Sequence, residues 1–309
     1  MDQIIDWEDV VAEGTARLDR WLKDALPQYS SARIKEMITS GRVTVNGRGA
    51  KKGQMVKPGD EIRISGVAKG PVPLEDIDVK VEVAWDDERL LVVDKPRGMA
   101  TQPLSPDETG TLASGVVALY PGLRGVGPLP LEPGLLQRLD KGTSGLVMFA
   151  KDDDAWQFMR REFEMRRMTK TYRAIVHGEV KAKSDDISVP LGHHPSQQGA
   201  MVAAVPGVKI RGKSQRALTR YSVIEQKDGF SLLEIELITG VTHQARVHLA
   251  HMGHPVVGDD RYGKENVPGP PAYALQAYQL IFTHPENMEM VDVRAQKPLD
   301  MTDLPQFTK

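Results

Sequence analysis

Apolar positions recur along this chain with two different periods, and the change of period divides it. Within residues 15–65, Leu18, Trp21, Leu22 and Ala25 follow helical spacing. Ile34, Met37 and Ile38 repeat that spacing in a second helix that starts near Ser30 or Ser31. Thr15 is the expected N-cap of the first helix, Pro27 its stop, and Gly41 the C′ residue of the second. Val43-Thr44-Val45 then runs into Asn46-Gly47, a strong hairpin signal after a β-branched run. Pro58-Gly59-Asp60 marks another turn, and residues 61–64 alternate as a strand. The predicted order is helix, helix, hairpin.

From residue 75 onward the dominant period is two. Val79, Val81 and Val83 alternate with charges, and 90–93 and 146–150 are apolar runs. Longer strand patterns cover 170–176 and 231–238. In the second, Leu233, Ile235 and Leu237 face one way while Glu234 and Glu236 face the other, which predicts a half-exposed antiparallel sheet. Helices are expected at 109–119, 153–166 and 242–252. Strands and helices do not alternate regularly, so the fold class is α+β rather than doubly wound α/β. The Gly/Pro-bearing stretch GVAKGPVPL (66–74) reads as a linker, 75–309 as the large domain, and 1–14 as an acidic, poorly ordered tail.

Composition narrows the classes. Of 309 residues, 40% are hydrophobic and 27% charged, ordinary values for a soluble globular protein. There is no cysteine, which excludes disulfides, zinc–thiolate sites, iron–sulfur clusters and a thiol nucleophile. The acidic start MDQIIDWEDVV is no signal peptide, and no apolar run reaches membrane-spanning length. A cytoplasmic protein with no membrane partner is expected. The net charge of −2 argues at first against nucleic acid. Its distribution argues otherwise. Residues 1–13 hold five acids and no base, whereas 206–220 hold Lys209, Arg211, Lys213, Arg216 and Arg220 with no acid. Residues 160–173 hold six bases against Glu162 and Glu164. A basic groove on a near-neutral protein would look like this, as would solvated surface.

The stretch 134–151, GLLQRLDKGTSGLVMFAK, carries the main candidate for chemistry. An apolar strand runs into Arg138-Leu139-Asp140, a Gly-rich turn follows, and a second apolar strand leaves. Residues two apart on a strand share a face, so Arg138 and Asp140 project together with Leu139 on the core side. The neighbouring Arg favours the ionised carboxylate, and an ionised, positioned carboxylate is a usable nucleophile or base. From spacing alone, the pair also fits a structural ion pair. On 242–252, His243, Arg246, Val247 and Ala250 share a helix face. An Arg among apolar neighbours calls for a buried acid, for which Asp140 is the candidate. Tyr172, Ala174 and Val176 share a strand face that lets Tyr172 look into a cleft. His243, His248, His251 and His254 have no HExxH spacing and fall on different sides of a helix, so no metal is expected. The turn at 142–145 is not a G-x-S-x-G elbow, there is no P-loop, and Gly125 and Gly127 make no dinucleotide fingerprint. No cofactor is expected.

Several long words resemble known families. RLDRWL (17–22), SARIKEMITSGRVTVNG (31–47) and KPGDEIRI (57–64) resemble the S4 RNA-binding domain. That resemblance implies an RNA-binding domain over 15–65 whose second helix and hairpin present basic groups to RNA, with Arg17, Arg20, Arg33, Lys35, Arg42 and Arg48 as candidates. QRLDKGTSGL (137–146) is similar to the signature of the RluA family of pseudouridine synthases. KPRGMATQP (95–103), KTYRAIVHG (170–178), THQARVHLAHMGHPVVGDDRYG (242–263) and YALQAYQLIFTHP (273–285) match the same family in order. The resemblance implies a mainly antiparallel mixed sheet with a central cleft, Asp140 as catalytic aspartate, Tyr172 as active-site tyrosine, and Arg246 as its basic partner. It also implies that Arg138 enters the RNA stack as the target base leaves it, with Lys170 among the RNA contacts. Two positions depart from the family pattern: Gln137, where His is common, and Val241, where Arg is common. The implied reaction isomerises uridine to pseudouridine, by attack at C1′ of the ribose or C6 of the base, without metal or cofactor. The implied partner is RNA, ribosomal RNA of the large subunit ahead of transfer RNA, with pre-ribosomal particles as a setting. A non-catalytic RNA-binding or ribosome-assembly protein is the alternative from another class.

Overall fold

The computed structural model describes residues 4–26, 31–68, 73–105, 107–263 and 273–306. The N-terminal unit contains β1 (Ile4–Val10), β2 (Ala16–Arg17), α1 (Leu18–Ala25), α2 (Ser31–Thr39), β3 (Val43–Val45), β4 (Arg48–Gly49), β5 (Met55–Val56) and β6 (Glu61–Ala68). Its helical spacing becomes a core of its own: Leu18 and Leu22 from α1 and Ile34, Met37 and Ile38 from α2 pack on Val43, Val45, Ile62 and Ile64. At the end of α2, Arg42 N–H donates to the Met37 carbonyl and Gly41 N–H to that of Ile38. Gly41 has φ 77°, so the helix closes in a Schellman motif with Gly at C′. Asn46 and Gly47 have φ 51° and 74°, the two left-handed residues of a type I′ hairpin.

Three expectations change here. The N-cap of α1 is Arg17, not Thr15. Residues 16–17 are drawn into pairing with β5, and Leu18 N–H finds the Gln54 carbonyl at 2.8 Å, so no side-chain cap is required. Residues 4–10 are a strand rather than a poorly ordered tail. β1 pairs antiparallel along β6, and Trp7 packs on Trp21 with ring centroids 6.1 Å apart. The apolar share of an acidic segment is enough to cover an open strand edge. β6 continues to Ala68, into the stretch expected to be linker. Pro27 and Ser30 lie outside the described residues.

The large unit contains β7 (Glu82–Asp86), β8 (Leu90–Lys95), α3 (Leu112–Leu119), β9 (Ser144–Ala150), α4 (Asp153–Glu164), β10 (Thr169–His177), β11 (Ser184–Ile187), β12 (Leu191–His193), β13 (Met201–Ala203), β14 (Arg211–Gln215), β15 (Thr219–Lys227), β16 (Phe230–Leu237), α5 (Gln244–His251), β17 (Leu275–Thr283) and β18 (Met290–Arg294). Among the described residues the main sheet runs β11-β15-β16-β10-β17-β9-β8-β7, with β18 on β17. The β17–β9 pairing is parallel and the others are antiparallel. Residues 90–93 of β8 and 146–150 of β9 are continuously apolar because both faces are covered. Leu90, Val92, Leu146 and Met148 meet Ala155 and Met159 of α4, while Leu91, Val93, Val147 and Phe149 meet Leu112 and Val116 of α3. α5 lies on the other half of the sheet, with Ala245 and Leu249 against Ala174, Val176, Leu233 and Ile235. The result is the expected α+β class.

Two strand expectations fail locally. Val79 and Val81 precede β7 and close over α3, where a Cβ on Gly115 would stand 2.6 Å from Val79 Cγ1. The stretch ending in Arg138-Leu139-Asp140 is not a full strand. It makes one bridge, Leu135 to Phe149, and Leu136 N–H bonds the Met148 carbonyl before the chain leaves the ladder.

Candidate active site

Asp140 stands in the turn that enters β9, and its neighbours are held from several sides. Leu139 is buried, and its N–H and carbonyl both bond the Thr101 hydroxyl, at 3.1 and 2.8 Å. Thr143 N–H closes the turn on the Asp140 carbonyl. Gly142 lies flat on the Tyr273 ring, where a Cβ would sit 2.7 Å from it. Gly145, with φ 109°, passes so close to β17 that a Cβ would stand 2.2 Å from the Ala277 carbonyl oxygen. Lys95, at the end of β8, has no exposed surface. Its ammonium donates to the carbonyls of Met99 at 2.8 Å, Pro96 at 3.1 Å and Lys141 at 3.4 Å, tying the 96–101 loop to the aspartate turn. Burial pulls Lys95 down to about 8, against the opposing charges of Asp140 and Asp94.

Arg246 meets Asp140 from the first turn of α5, 106 residues away in sequence. Its Nη1 donates to Asp140 Oδ2 at 2.8 Å. The buried acid that anchors it is Asp259, which takes Nε at 2.7 Å and Nη2 at 2.8 Å in a bidentate pair. The guanidinium stacks 3.9 Å from the Tyr273 ring centroid and 4.9 Å from that of Tyr262. Burial alone would lower its pKa, but the hydrogen bonds and charge of Asp259, with Asp140, outweigh burial and hold it above the usual value. Of the two cations the sequence offers to Asp140, Arg246 meets it, as the helix face and the resemblance imply, and the expectation for the adjacent Arg138 is corrected. Arg138 is exposed on the cleft rim and turns to Glu132, at 3.9 Å.

Asp140, Arg138, Lys170, Tyr172, His243 and Arg246 line one cleft of about 990 Å³, near the upper end of the usual range for a ligand site. Tyr172 packs against both cores that flank it, and a register shift against β17 between Thr171 and Tyr172 sets its aim. Arg173, its neighbour, stacks on Tyr278 instead, 4.2 Å from the centroid. Burial, then the charge of Asp140, pushes the Tyr172 phenol up, so the hydroxyl rests protonated. Lys170 sits near the Phe163 ring, 5.9 Å from its centroid. Gln137 donates to the Leu146 carbonyl at 3.4 Å. Val241 packs with Leu191, Met201, Ala217 and Val247, so that position feeds an apolar cluster where the family pattern has a cation.

In the N-terminal unit, Arg17 and Lys35 share a small groove with Lys52, and Arg17 is partly engaged by Asp19 at 2.9 Å. Arg20 and Arg48 are exposed and Arg42 is half-buried; the Arg33 side chain lies outside the described ones. Of the basic run 206–220, the strand β14 is exposed throughout, whereas Arg220 is committed to Asp186 and Glu236. The four histidines part company. His248 is a satisfied core histidine between Thr219 and Val189, His254 bonds the His177 carbonyl, and His251 is exposed. His243 alone of the four faces Asp140, with Nε2 3.7 Å from Oδ1.

Lys95, His243, Asp259, Tyr262 and Tyr273 are site residues to which the sequence pattern assigns no role. One signal does point to Asp259: a buried Arg has five N–H donors, more than one exposed-edge carboxylate can absorb.

The chain matches the family model for RNA pseudouridylate synthase over residues 89–251 and that for the S4 domain over 16–62. It is 33% identical to the uncharacterized RNA pseudouridine synthase YlyB of Bacillus subtilis, over 93% of this chain and 92% of that protein. It is 31% identical to the ribosomal large subunit pseudouridine synthase D of Salmonella typhimurium, over 93% of this chain and 89% of that one. The solved structure of human RNA pseudouridylate synthase domain containing 1 overlays with a TM-score of 0.59 at 27% identity, covering 74% of this chain and 94% of the human one. Agreement in motif, in length and in fold has one reading: the chain belongs to the RNA pseudouridylate synthase family, RNA-modifying isomerases, and carries an S4 domain at its N terminus.

Proposed function

We propose that this enzyme isomerises uridine in large-subunit ribosomal RNA, with Asp140 as its nucleophile. The observation that carries the proposal is the Asp140–Arg246–Asp259 array. A guanidinium anchored bidentately on a buried acid offers its remaining edge to one carboxylate oxygen at a cleft. That oxygen is held, and the other accepts no hydrogen bond from Arg246, in a carboxylate that lines the cleft. Pseudouridine formation moves uracil from an N1–C1′ bond to a C5–C1′ bond, so no electron or group donor enters. It needs an everted base, a nucleophile and a closed pocket. Arg138, exposed on the rim, fills the gap in the stack. Asp140 attacks at C1′ or at C6, and both routes use the same carboxylate. Tyr172 walls the pocket and stacks on the uracil. It starts the reaction protonated, so helping to remove the C5 proton requires that it first give up its own.

Residues 4–68 form the RNA-gripping unit in this reading and the chain from about 75 the catalytic one. Arg17, Arg20, Lys35, Arg42, Arg48 and Lys170 supply phosphate contacts. The relatives named for the large ribosomal subunit support that RNA ahead of transfer RNA; pre-ribosomal particles in the cytoplasm are the setting this reading proposes. Among the described residues no helix is long and apolar enough to cross a membrane. The test is tritium release from RNA labelled at uridine C5. Asp140→Asn should abolish release while RNA binding survives, and near-normal turnover would overturn the assignment. Mapping pseudouridines in total RNA with and without the gene identifies the target.

A further inference from the structure

His243 faces the nucleophile, yet the chemistry so far gives it no task. It is the N-cap of α5 and adopts φ 56°, a left-handed conformation uncommon for a residue with a side chain. Gln244 locks that turn. Its Oε1 accepts from Thr239 Oγ1 at 2.6 Å and from Val241 N–H at 3.1 Å, and its Nε2 donates to Leu218 and Thr219. A backbone held in a sparsely populated region, at a cleft, is a sign of a side chain that must point one way.

The hydrogen-bond order decides which way. Met201 N–H donates to the Tyr262 hydroxyl at 2.9 Å, so that oxygen accepts there. The hydroxyl proton is then free to go to His243 Nδ1, 2.7 Å away. A neutral ring that accepts at Nδ1 carries its proton on Nε2. Nε2 faces Asp140 Oδ1 at 3.7 Å, while Oδ2 is held by Arg246 at 2.8 Å. The 3.7 Å gap is longer than a hydrogen bond, and such contacts tighten when substrate closes a site.

We propose that His243 is a positioning residue whose Nε2–H aims the attacking Oδ1 of Asp140, its tautomer set by a relay from the Met201 backbone through Tyr262. The proposal rests on Asp140 as nucleophile. The charged and titratable groups facing the imidazole are Asp140, Arg246 on α5, and Asp259, Arg261 and Tyr262 from the segment after α5. Burial, reinforced by Arg246 and Arg261 and opposed by Asp140 and Asp259, holds the ring below its usual pKa, so it is neutral at pH 7. β13, where the relay begins, belongs to a separate three-stranded sheet, β13-β12-β14, whose buried residues meet α5 at Val247. Movement of that sheet would reach the nucleophile through one hydroxyl.

The first test is nitrogen NMR of the full chain labelled in its histidine rings. The expected wild-type signal for His243 is the Nε2–H tautomer, and Tyr262→Phe should convert it to a mixture. A wild-type Nδ1–H signal overturns the relay, and this readout needs no turnover. The second is kinetics. His243→Ala and Tyr262→Phe should each lower kcat about tenfold, with the KM for RNA within about twofold of wild type. His243→Gln, which restores an N–H donor but does not titrate, should recover most of kcat. Any acid limb of wild-type kcat that arises from His243 should lie below about pH 6.5 and be absent from this variant. A loss confined to KM, or a glutamine variant no better than alanine, overturns the positioning role. If Asp140→Asn keeps turnover, the nucleophile assignment falls, whereas the tautomer signal still judges the relay.

Discussion

At the scale of single residues, the site is one guanidinium divided between two carboxylates. Arg246 is 2% exposed, and Asp259 is equally buried. Removing one partner of a buried pair leaves an uncompensated charge, which costs about 3–5 kcal/mol. Asp259→Ala should therefore lower unfolding stability in urea by about that amount and cut kcat as well, since Arg246 loses its anchor. Arg246→Lys keeps the charge but cannot serve both acids. It should lower kcat about a hundredfold while the urea midpoint falls less than in Asp259→Ala. His248 gives a pH prediction. Burial holds its pKa below the usual value, against the pull of the Val189 carbonyl. The unfolded chain then binds more protons than the folded one between the folded pKa and about 6.5. Stability is full above about pH 6.5 and falls as pH drops through that window, by at most about 1.4 kcal/mol per pH unit for one proton. His248→Gln should flatten the decline of melting temperature between about pH 6.5 and 5, and an unchanged slope would assign it to other groups. Asp140, Tyr172 and Arg246 are legible in the motif words. Lys95, Asp259 and Tyr273 stand in the quoted words too, but without a legible role, because their parts consist of contacts that only packing makes.

At the scale of elements, two kinds of strand behave differently. β8 and β9 are covered on both faces, by α3 and α4, and Phe149 is fully buried between β8 and α3. Phe149→Ala should destabilise by about 3–5 kcal/mol, read as a lower urea midpoint with unchanged m-value. The period-two signal of β16 holds over 233–236, where Leu233 and Ile235 are buried and Glu234 and Glu236 are half-buried on the other face. The apolar runs at 90–93 and 146–150 can be recognised as strands, but not assigned neighbours. β17, which holds β10 on one edge and β9 and β18 on the other, has no periodic mark of that role. Its close approach to Gly145 does leave a mark. Gly145→Ala would drive a methyl into the Ala277 backbone, so loss of soluble folded protein is expected. β1 is hidden in the sequence because five acids in thirteen residues suggest solvation, while Trp7 supplies the contact that holds the strand.

At the scale of the whole molecule, a net charge of −2 coexists with RNA as substrate because the cations are placed, not abundant. Lys35 and Arg20 are exposed on the S4 unit, remote in sequence from the nucleophile. Reversing both to Glu should raise KM for RNA with kcat nearly unchanged. It should also lower the slope of log binding constant against log salt by about one for each phosphate no longer neutralised. An unchanged slope would remove these residues from the interface.

The order of residues alone settled the α+β class, the helix–helix–hairpin unit and the family, because those depend on local periodicity and on long words in a fixed order. It also placed Asp140, Tyr172 and Arg246 among the candidate reacting groups. Only tertiary structure decided that the adjacent Arg138 turns away from Asp140, that Asp259 anchors Arg246, and that His243 stands beside the second carboxylate oxygen. Pairing between groups as many as 106 residues apart is set by how sheets and helices pack, and packing has no period that a linear pattern can reveal.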